Sequence, residues 1–167
     1  MKVLFLDIDG VISRFRTDYG NPKAMLDEPC IRELVRICEA TGCKIVISST
    51  WKVAASLMRV LEGELFPRLP EGCVIGCTPT LPLQPFREEE IDAWFAMNPG
   101  LAERYAIIDD YDFELKTYLP KGVCVITDAN EGLTRADADK AIAILNGAAQ
   151  PAQNQTEKTT TGKAGLT

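Results

Sequence analysis

The chain has 167 residues, a formal net charge of −6 and no histidine. This length has room for one domain with a single core, and a hydrophobic content of 46% is ordinary for a globular protein. The absence of histidine excludes Ser-His-Asp triads, histidine nucleophiles and His-ligated metals. The excess of acidic residues argues against a protein that coats nucleic acid without specificity, but it leaves room for a local basic patch.

Membrane segments and targeting signals are not visible, because no apolar run approaches the roughly 20 residues that cross a bilayer. We therefore expect a cytoplasmic protein with no membrane contact, and nothing in the sequence indicates an obligate protein partner. The six cysteines lie among aliphatic residues without a Cys-x2-Cys pair. Buried free thiols are therefore expected rather than disulfides or zinc ligands.

The first predicted element is a strand within residues 2–12, where a run of apolar residues leads into Asp7 and Asp9 and breaks at Gly10. Such a run is typical of a strand buried on both faces at the centre of a parallel sheet. Strand alternation would place Asp7 and Asp9 on the same side where the strand ends. Because adjacent carboxylates repel each other and do not tolerate unpaired burial, the pair indicates metal binding or acid/base chemistry.

The next segment, residues 11–26, carries Arg14, Arg16 and Lys23 and is interrupted by glycine and proline. It is predicted to be a flap or loop beside the aspartates, locally positive in an acidic chain. The sequence leaves two interpretations open, an ordinary solvated loop or a segment that steers phosphate.

The rest of the chain alternates helices with strands. A helix after Lys52 is expected to bury Val53, Leu57, Val60 and Leu61. Alternation of this kind predicts an α/β fold with a parallel sheet of about five strands. From residue 148 the composition changes to Ala, Gln, Thr, Gly and Lys, so we predict one domain over 1–147 and a disordered tail over 148–167. The other predicted helices cover 27–42, 87–98 and 134–146, and the other strands cover 43–48, 73–77, 105–108 and 123–126.

Three polar clusters fall at the predicted carboxyl ends of strands: Asp7 with Asp9, residues 48–50, and Asp109 with Asp110. In a parallel sheet these ends share one edge, where ligands bind near the switch in strand order. The hydroxyls of the second cluster suit an anion, with helix capping as the alternative. Carboxylates without histidine or cysteine partners suit a hard cation such as Mg²⁺, which can help a carboxylate attack phosphorus.

The residues that carry these clusters resemble known motifs. Asp7-Ile8-Asp9-Gly10-Val11 is similar to the first motif of the haloacid dehalogenase (HAD) superfamily of phosphotransferases, Ser49 to its second and Ile107-Ile108-Asp109-Asp110 to its fourth. More narrowly, residues 47–52, 78–87 and 132–134 resemble the HAD domain of Swiss Army Knife RNA repair proteins. The resemblance implies a three-layer Rossmann-like fold.

The resemblance also implies a role for each site residue. Asp7 would be the nucleophile, Asp9 the general acid/base, and Gly10 would lie beside the substrate. Mg²⁺ would be held by Asp7 and Asp109 with the Asp9 carbonyl, and Asp110 would help directly or through the surrounding shell.

The phosphate-binding groups are less sharply assigned by the same motifs. Ser49 would bind a phosphoryl oxygen, although Ser48 or Thr50 could take this place. Arg87, which begins a helix ahead of the Asp109 strand, would be the cation that bridges phosphate and nucleophile. Lys52 is the alternative.

The windows where HAD proteins carry a cap, residues 11–26 and 78–86, are too short for a full cap domain. An uncapped site favours extended phosphoesters such as nucleic-acid ends, for which Arg14 and Arg16 would contact the backbone. We therefore predict a Mg²⁺-dependent phosphomonoester hydrolase with an aspartyl-phosphate intermediate, acting on nucleic-acid or nucleotide terminal phosphates. The alternatives are a protein or small-metabolite phosphatase and a non-catalytic phosphate-binding or nucleic-acid-binding module.

Overall fold

A computed structural model describes residues 1–14, 26–83 and 85–147. In these residues a five-stranded parallel sheet has the strand order β3-β2-β1-β4-β5. The chain adds strands on one side of β1 and then crosses to the other side, so β1 and β4 flank the switch in strand order. The strands are β1 (Lys2–Leu6), β2 (Lys44–Ile47), β3 (Val74–Cys77), β4 (Arg104–Asp109) and β5 (Cys124–Ile126).

Helices cover both faces of this sheet. One hydrophobic core joins α1, α4 and the segment around α2 to one face, and a second core joins α3 to the opposite face. This arrangement confirms the predicted three-layer α/β fold. The helices are α1 (Glu28–Thr41), α2 (Ala55–Val60), α3 (Arg87–Met97) and α4 (Arg135–Asn146).

Strand β1 is buried on both faces, as its apolar run predicts. Leu4 and Leu6 pack into the core beneath α1 and α4, whereas Phe5 packs into the core beneath α3. There the Phe5 ring meets the Trp94 ring edge to face, with their centroids 5.2 Å apart. Each such fully buried side chain contributes about 1.5–3 kcal/mol, so the central strand is anchored from both sides.

Two helix boundaries follow local signals in the sequence. Helix α1 ends at Gly42, whose φ of +65° is in the left-handed region that favours glycine. Helix α4 begins with a capping box, in which Thr134 and Asp137 bond each other's backbone N–H groups. Both boundaries agree with the prediction.

The predicted start of the helix after Lys52 is wrong. Thr50–Val53 forms a 3₁₀ turn, and α2 begins only at Ala55. A 3₁₀ turn has three residues per turn instead of 3.6, so Val53 points away from the core and is 63% exposed. Leu61, predicted from the same pattern, is fully buried.

All six cysteines lie in the described residues and are free thiols, as predicted. Cys30, Cys38, Cys43 and Cys73 are buried, and the other two are partly buried. The link between β3 and α3 contains neither helix nor strand in its described residues, 78–83 and 85–86. No helix in the described ranges is long and apolar enough to cross a membrane.

Two predictions fall on residues that the structure does not describe. Most of the positive segment, including Arg16 and Lys23, lies within 15–25, and the tail lies within 148–167. The steering flap and the domain boundary therefore stay predictions.

Candidate active site

The parallel pairing of β1 with β4 places Asp7 next to Asp109. Leu6 lies beside Ile108 in the register, and the Asp7 N–H donates to the Ile108 carbonyl at 3.0 Å. Phe5 and Ile107 both face α3, so the acids two residues further on share that face. Asp7 and Asp109 are consequently both buried at the switch in strand order.

Asp7, Asp109 and Asp110 form what we call the acidic cluster, because one carboxylate oxygen of each lies within 4.8 Å of the others. Burial, followed by the charge of Asp109, raises the pKa of Asp7 to about 7. Burial also raises the pKa of Asp109 to about 6 and is the largest cause of the raised pKa of Asp110. Ionising these three carboxyls therefore costs free energy in the protein alone, as expected at a site that binds a cation.

Gly10 leaves the space that the Asp110 side chain occupies in the acidic cluster. Its φ is +68°, and a Cβ at this position would overlap the Asp110 carboxylate. The Thr127 hydroxyl donates to the Gly10 carbonyl at 2.9 Å and holds the turn after β1 against the end of β5. Glycine is thus required by the backbone conformation and by the close approach of Asp110.

Arg87 is the cation that reaches the acidic cluster. It is the first residue of α3, and its Nε lies 3.2 Å from Asp109 Oδ2. Its Nη2 lies 3.5 Å from Asp7 Oδ1. The charge of Arg87 lowers the pKa of both carboxyls and partly offsets the effect of burial.

Lys52, the alternative cation, binds a different carboxylate. Its Nζ lies 2.5 Å from Glu90 Oε2 and 2.8 Å from Thr78 Oγ1, in a nearly solvent-free pair. Glu90 is one turn after Arg87 on α3, with 3.7 Å between its Oε2 and Arg87 Nη1. The geometry therefore brings Arg87, and not Lys52, into contact with Asp7, while the roles predicted for both remain predictions.

The three hydroxyls after β2 lie in different environments. Ser49 is fully buried, its Oγ accepts a hydrogen bond from the Trp51 N–H at 3.4 Å, and its side chain lowers the pKa of the Asp7 carboxyl. Ser48 is also buried, but its hydroxyl has no hydrogen-bond partner among the described residues. Thr50 is exposed at the start of the 3₁₀ turn. Of the three, Ser49 is the hydroxyl that the structure places at the acidic cluster.

Asp9 lies beside the acidic cluster, but its carboxylate is not part of it. Strand β1 ends at Leu6, so strand alternation does not extend to Asp9. Its Oδ2 accepts a hydrogen bond from Trp51 Nε1 at 3.0 Å, and its charge contributes to the raised pKa of Asp110. The metal contact predicted for Asp9 through its carbonyl stays a prediction.

Trp51 is a site residue that the sequence reasoning missed. It is 1% exposed, and a buried indole N–H needs an acceptor. A tryptophan directly after a hydroxyl cluster at a strand end was the available signal. The acceptor could not be read from the sequence, because Asp9 is 42 residues away.

Arg14, predicted to contact substrate, forms an ion pair with Asp27. Its backbone N–H and its Nη2 each donate to the Asp27 carboxylate at 2.9 Å. Asp27 is the N-cap residue of α1, but its side chain makes no hydrogen bond to the first turn of that helix. A substrate contact by Arg14 stays a prediction.

The donor set of the acidic cluster fits a hard divalent cation. It offers carboxylate oxygens without a thiol or an imidazole, and oxygen ligands of this kind suit Mg²⁺. Arg87 is the only cation within ion-pair distance of Asp7 or Asp109 in the described part of the chain. Since Arg87 does not fully offset the raised pKa values, a bound cation would supply the missing positive charge.

A parallel sheet with an acidic cluster at its switch point is consistent with the HAD class of α/β domains. The family model described as the HAD domain in Swiss Army Knife RNA repair proteins matches residues 3–138. This match covers more than half of the chain, which therefore belongs to that family, as its motifs predicted. Membership indicates a hydrolase of the phosphatase type. Comparisons with curated proteins and with solved structures gave no match.

Proposed function

We propose that this chain is a Mg²⁺-dependent phosphomonoester hydrolase that works through an aspartyl-phosphate on Asp7. The observation that carries the proposal is the environment of this carboxylate. Asp7 is buried at the switch in strand order, lies in the acidic cluster, is contacted by Arg87, and has its pKa lowered by Ser49. A purely structural acid would not be built against two further carboxylates.

Asp7, Asp109 and Asp110 would hold the cation. When bound, Mg²⁺ supplies positive charge that offsets the carboxylates and the phosphoryl oxygens. Ser49 and Arg87 stabilise the ionised form of Asp7, the form that can act as a nucleophile. The same hydroxyl and guanidinium would bind phosphoryl oxygens of the substrate.

In the first step an Asp7 oxygen forms a bond to phosphorus while the bond from phosphorus to the ester oxygen breaks. Asp9 gives its proton to that leaving oxygen. In the second step Asp9 takes a proton from a water molecule, whose oxygen attacks phosphorus and releases inorganic phosphate and the Asp7 carboxylate. The Trp51 indole holds Asp9 in one orientation for both transfers.

We propose a nucleic-acid or nucleotide terminal phosphate as the substrate. The family is described by its occurrence in RNA repair proteins. The described part of the β3–α3 link carries no helix or strand that could form a cap. The windows at 11–26 and 78–86 are too short for a full cap domain, and a site without one favours a phosphate at the end of a large molecule over a small enclosed metabolite.

The test is a phosphate-release assay with Mg²⁺ over 3′- and 5′-phosphorylated oligonucleotides, mononucleotides, a phosphopeptide and sugar phosphates. We expect EDTA to abolish turnover and Asp7→Asn to reduce it at least about a thousandfold, because the nucleophile is lost. The matched control is Asp112→Asn, which removes a nearby exposed carboxylate outside the acidic cluster and should keep wild-type turnover. Turnover that survives both EDTA and Asp7→Asn would refute the proposal.

A further inference from the structure

Three exposed aromatic side chains adjoin the acidic cluster and form what we call the aromatic surface. Phe86 is 45% exposed, Tyr111 54% and Phe113 48%. Exposed rings grouped in this way are uncommon on a soluble domain and indicate a binding surface. The site chemistry described above uses none of them.

The three rings contact one another across two segments of the chain. The centroids of Phe86 and Phe113 are 5.9 Å apart with the rings nearly perpendicular, and those of Phe113 and Tyr111 are 6.0 Å apart. Exposed aromatic rings grouped in this way can each offer a face on which a base of a single strand stacks.

Backbone contacts tie the aromatic surface to the candidate active site. Phe86 directly precedes Arg87, whose guanidinium binds Asp109. The Tyr111 N–H donates to Asp109 Oδ1 at 2.9 Å, and the Arg87 N–H donates to Glu114 Oε2 at 3.2 Å. The rings are therefore held next to the point where a phosphate would meet Asp7.

A cation accompanies the rings. The Lys116 ammonium lies 3.6 Å from the centroid of the Phe113 ring and is itself exposed. In an acidic chain this places positive charge beside an aromatic surface. Aromatic faces combined with a cation suit bases linked by phosphodiesters better than they suit an apolar peptide or a lipid.

We propose that the aromatic surface stacks the bases of a single-stranded nucleic-acid end whose terminal phosphate lies at Asp7. This inference rests on the proposed function and names its substrate more closely. Stacking is tolerant of sequence because every base has a π face. Recognition would therefore depend on a single-stranded end and not on a particular base order.

The test compares two substrates that differ in whether they carry bases: an oligonucleotide with a terminal phosphate and ribose 5-phosphate. We expect Phe113→Ala to lower the ratio of their kcat/KM values about tenfold, mainly through KM for the oligonucleotide. Phe113→Trp, which keeps a stacking face, should restore the wild-type ratio. The matched control is Met97→Ala, which truncates an apolar side chain of 71% exposure at the far end of α3 and should leave the ratio unchanged.

A binding measurement separates this inference from the proposed function. The probe is the same oligonucleotide with a dye at its other end, titrated into Asp7→Asn protein with and without Phe113→Ala. Weaker binding with Phe113→Ala, even if no substrate is hydrolysed, would support the aromatic surface while the hydrolase proposal fails. An unchanged affinity and an unchanged kcat/KM ratio would overturn the inference. An equal loss for a free mononucleotide would overturn the assignment to a strand.

Discussion

Asp137 at the start of α4 and Asp7 after the end of β1 are both buried carboxylates, but they have different partners. Asp137 accepts hydrogen bonds from Thr134 and forms an ion pair with Lys140 at 3.3 Å. Its negative charge therefore has partners at the start of the same helix. Asp7 shares Arg87 with Asp109 and lies among further carboxylates. The first carboxylate has its partners within the fold, whereas the second is the one that we propose binds a cation and a substrate.

The largest expected effect distinguishes Arg87, which contacts Asp7 and Asp109, from Lys52, which contacts Glu90. We expect Arg87→Met to lower kcat/KM for phosphate release by about a thousandfold, because it removes the guanidinium that offsets Asp7 and Asp109. In saturating Mg²⁺ its effect on unfolding should be smaller than that of Lys52→Met, because the bound cation can replace the positive charge that Asp7 and Asp109 lose. Steady-state kinetics together with chemical denaturation check both statements. A variant that unfolds readily but retains its turnover would contradict them.

The opposite pattern is expected for Lys52→Met. This change leaves Glu90 buried without its closest cation, and breaking a buried pair in this way costs about 3–5 kcal/mol. Urea denaturation should show the loss as a lower midpoint. The double variant Lys52→Met with Glu90→Gln should recover part of it. If both single and double variants were as stable as wild type, the pair would not be structural.

A pair of glycines distinguishes backbone strain from damage to the acidic cluster. Gly10 and Gly42 have nearly equal positive φ angles, +68° and +65°, but only at Gly10 would a Cβ meet another group, the Asp110 carboxylate. Both alanine variants should lose about 1–2 kcal/mol of stability from the left-handed backbone. Gly10→Ala alone should also weaken Mg²⁺ binding, about tenfold or more, as measured by calorimetry. Equal Mg²⁺ affinities would contradict the role of Gly10 in closing the cluster.

The smallest effect is expected at the capping box of Asp137, at the start of α4. Thr134→Ala removes the hydroxyl of the capping box and should cost about 1 kcal/mol of stability by thermal unfolding. Because this helix start lies outside the acidic cluster, kcat/KM should match wild type. A large loss of activity would mean that the two kinds of carboxylate are coupled.

Local signals explain why much of the fold could be predicted from the sequence. The apolar run before Asp7, the left-handed glycine at Gly42 and the Thr134 capping box each act over a few residues. The acidic cluster was predictable for a related reason. Parallel strands bring their carboxyl ends to one edge, so Asp7 next to the end of β1 and the acids at the end of β4 meet there.

The partners of individual site residues were not predictable, because they come from distant parts of the chain. Trp51 reaches Asp9 across 42 residues, and Lys52 reaches Glu90 across 38. No periodicity in the sequence reports such a pairing. The exposure of Val53 was missed for a different reason, since a short 3₁₀ turn interrupts the helical pattern.

The pH dependence of stability follows from the raised pKa values in the acidic cluster. In the folded, metal-free protein the pKa of Asp7 is about 7 and that of Asp109 about 6, compared with the ordinary 3.8. Their protonated forms favour folding, so this contribution is complete below about pH 4 and is lost as the pH rises through 6 to 7. Mg²⁺ needs the ionised forms, so its stabilising effect should grow over the same range.

Thermal unfolding with Mg²⁺ or EDTA at pH 5 and pH 8 therefore tests most directly whether the acidic cluster is a cation site. We expect Mg²⁺ to raise the Tm of the wild-type protein clearly at pH 8 and little at pH 5. Asp109→Asn should remove the increase, and the exposed-site control Asp112→Asn should retain it. A Mg²⁺ effect that is equal at both pH values, or that survives Asp109→Asn, would contradict the assignment of Asp7, Asp109 and Asp110 as the metal site.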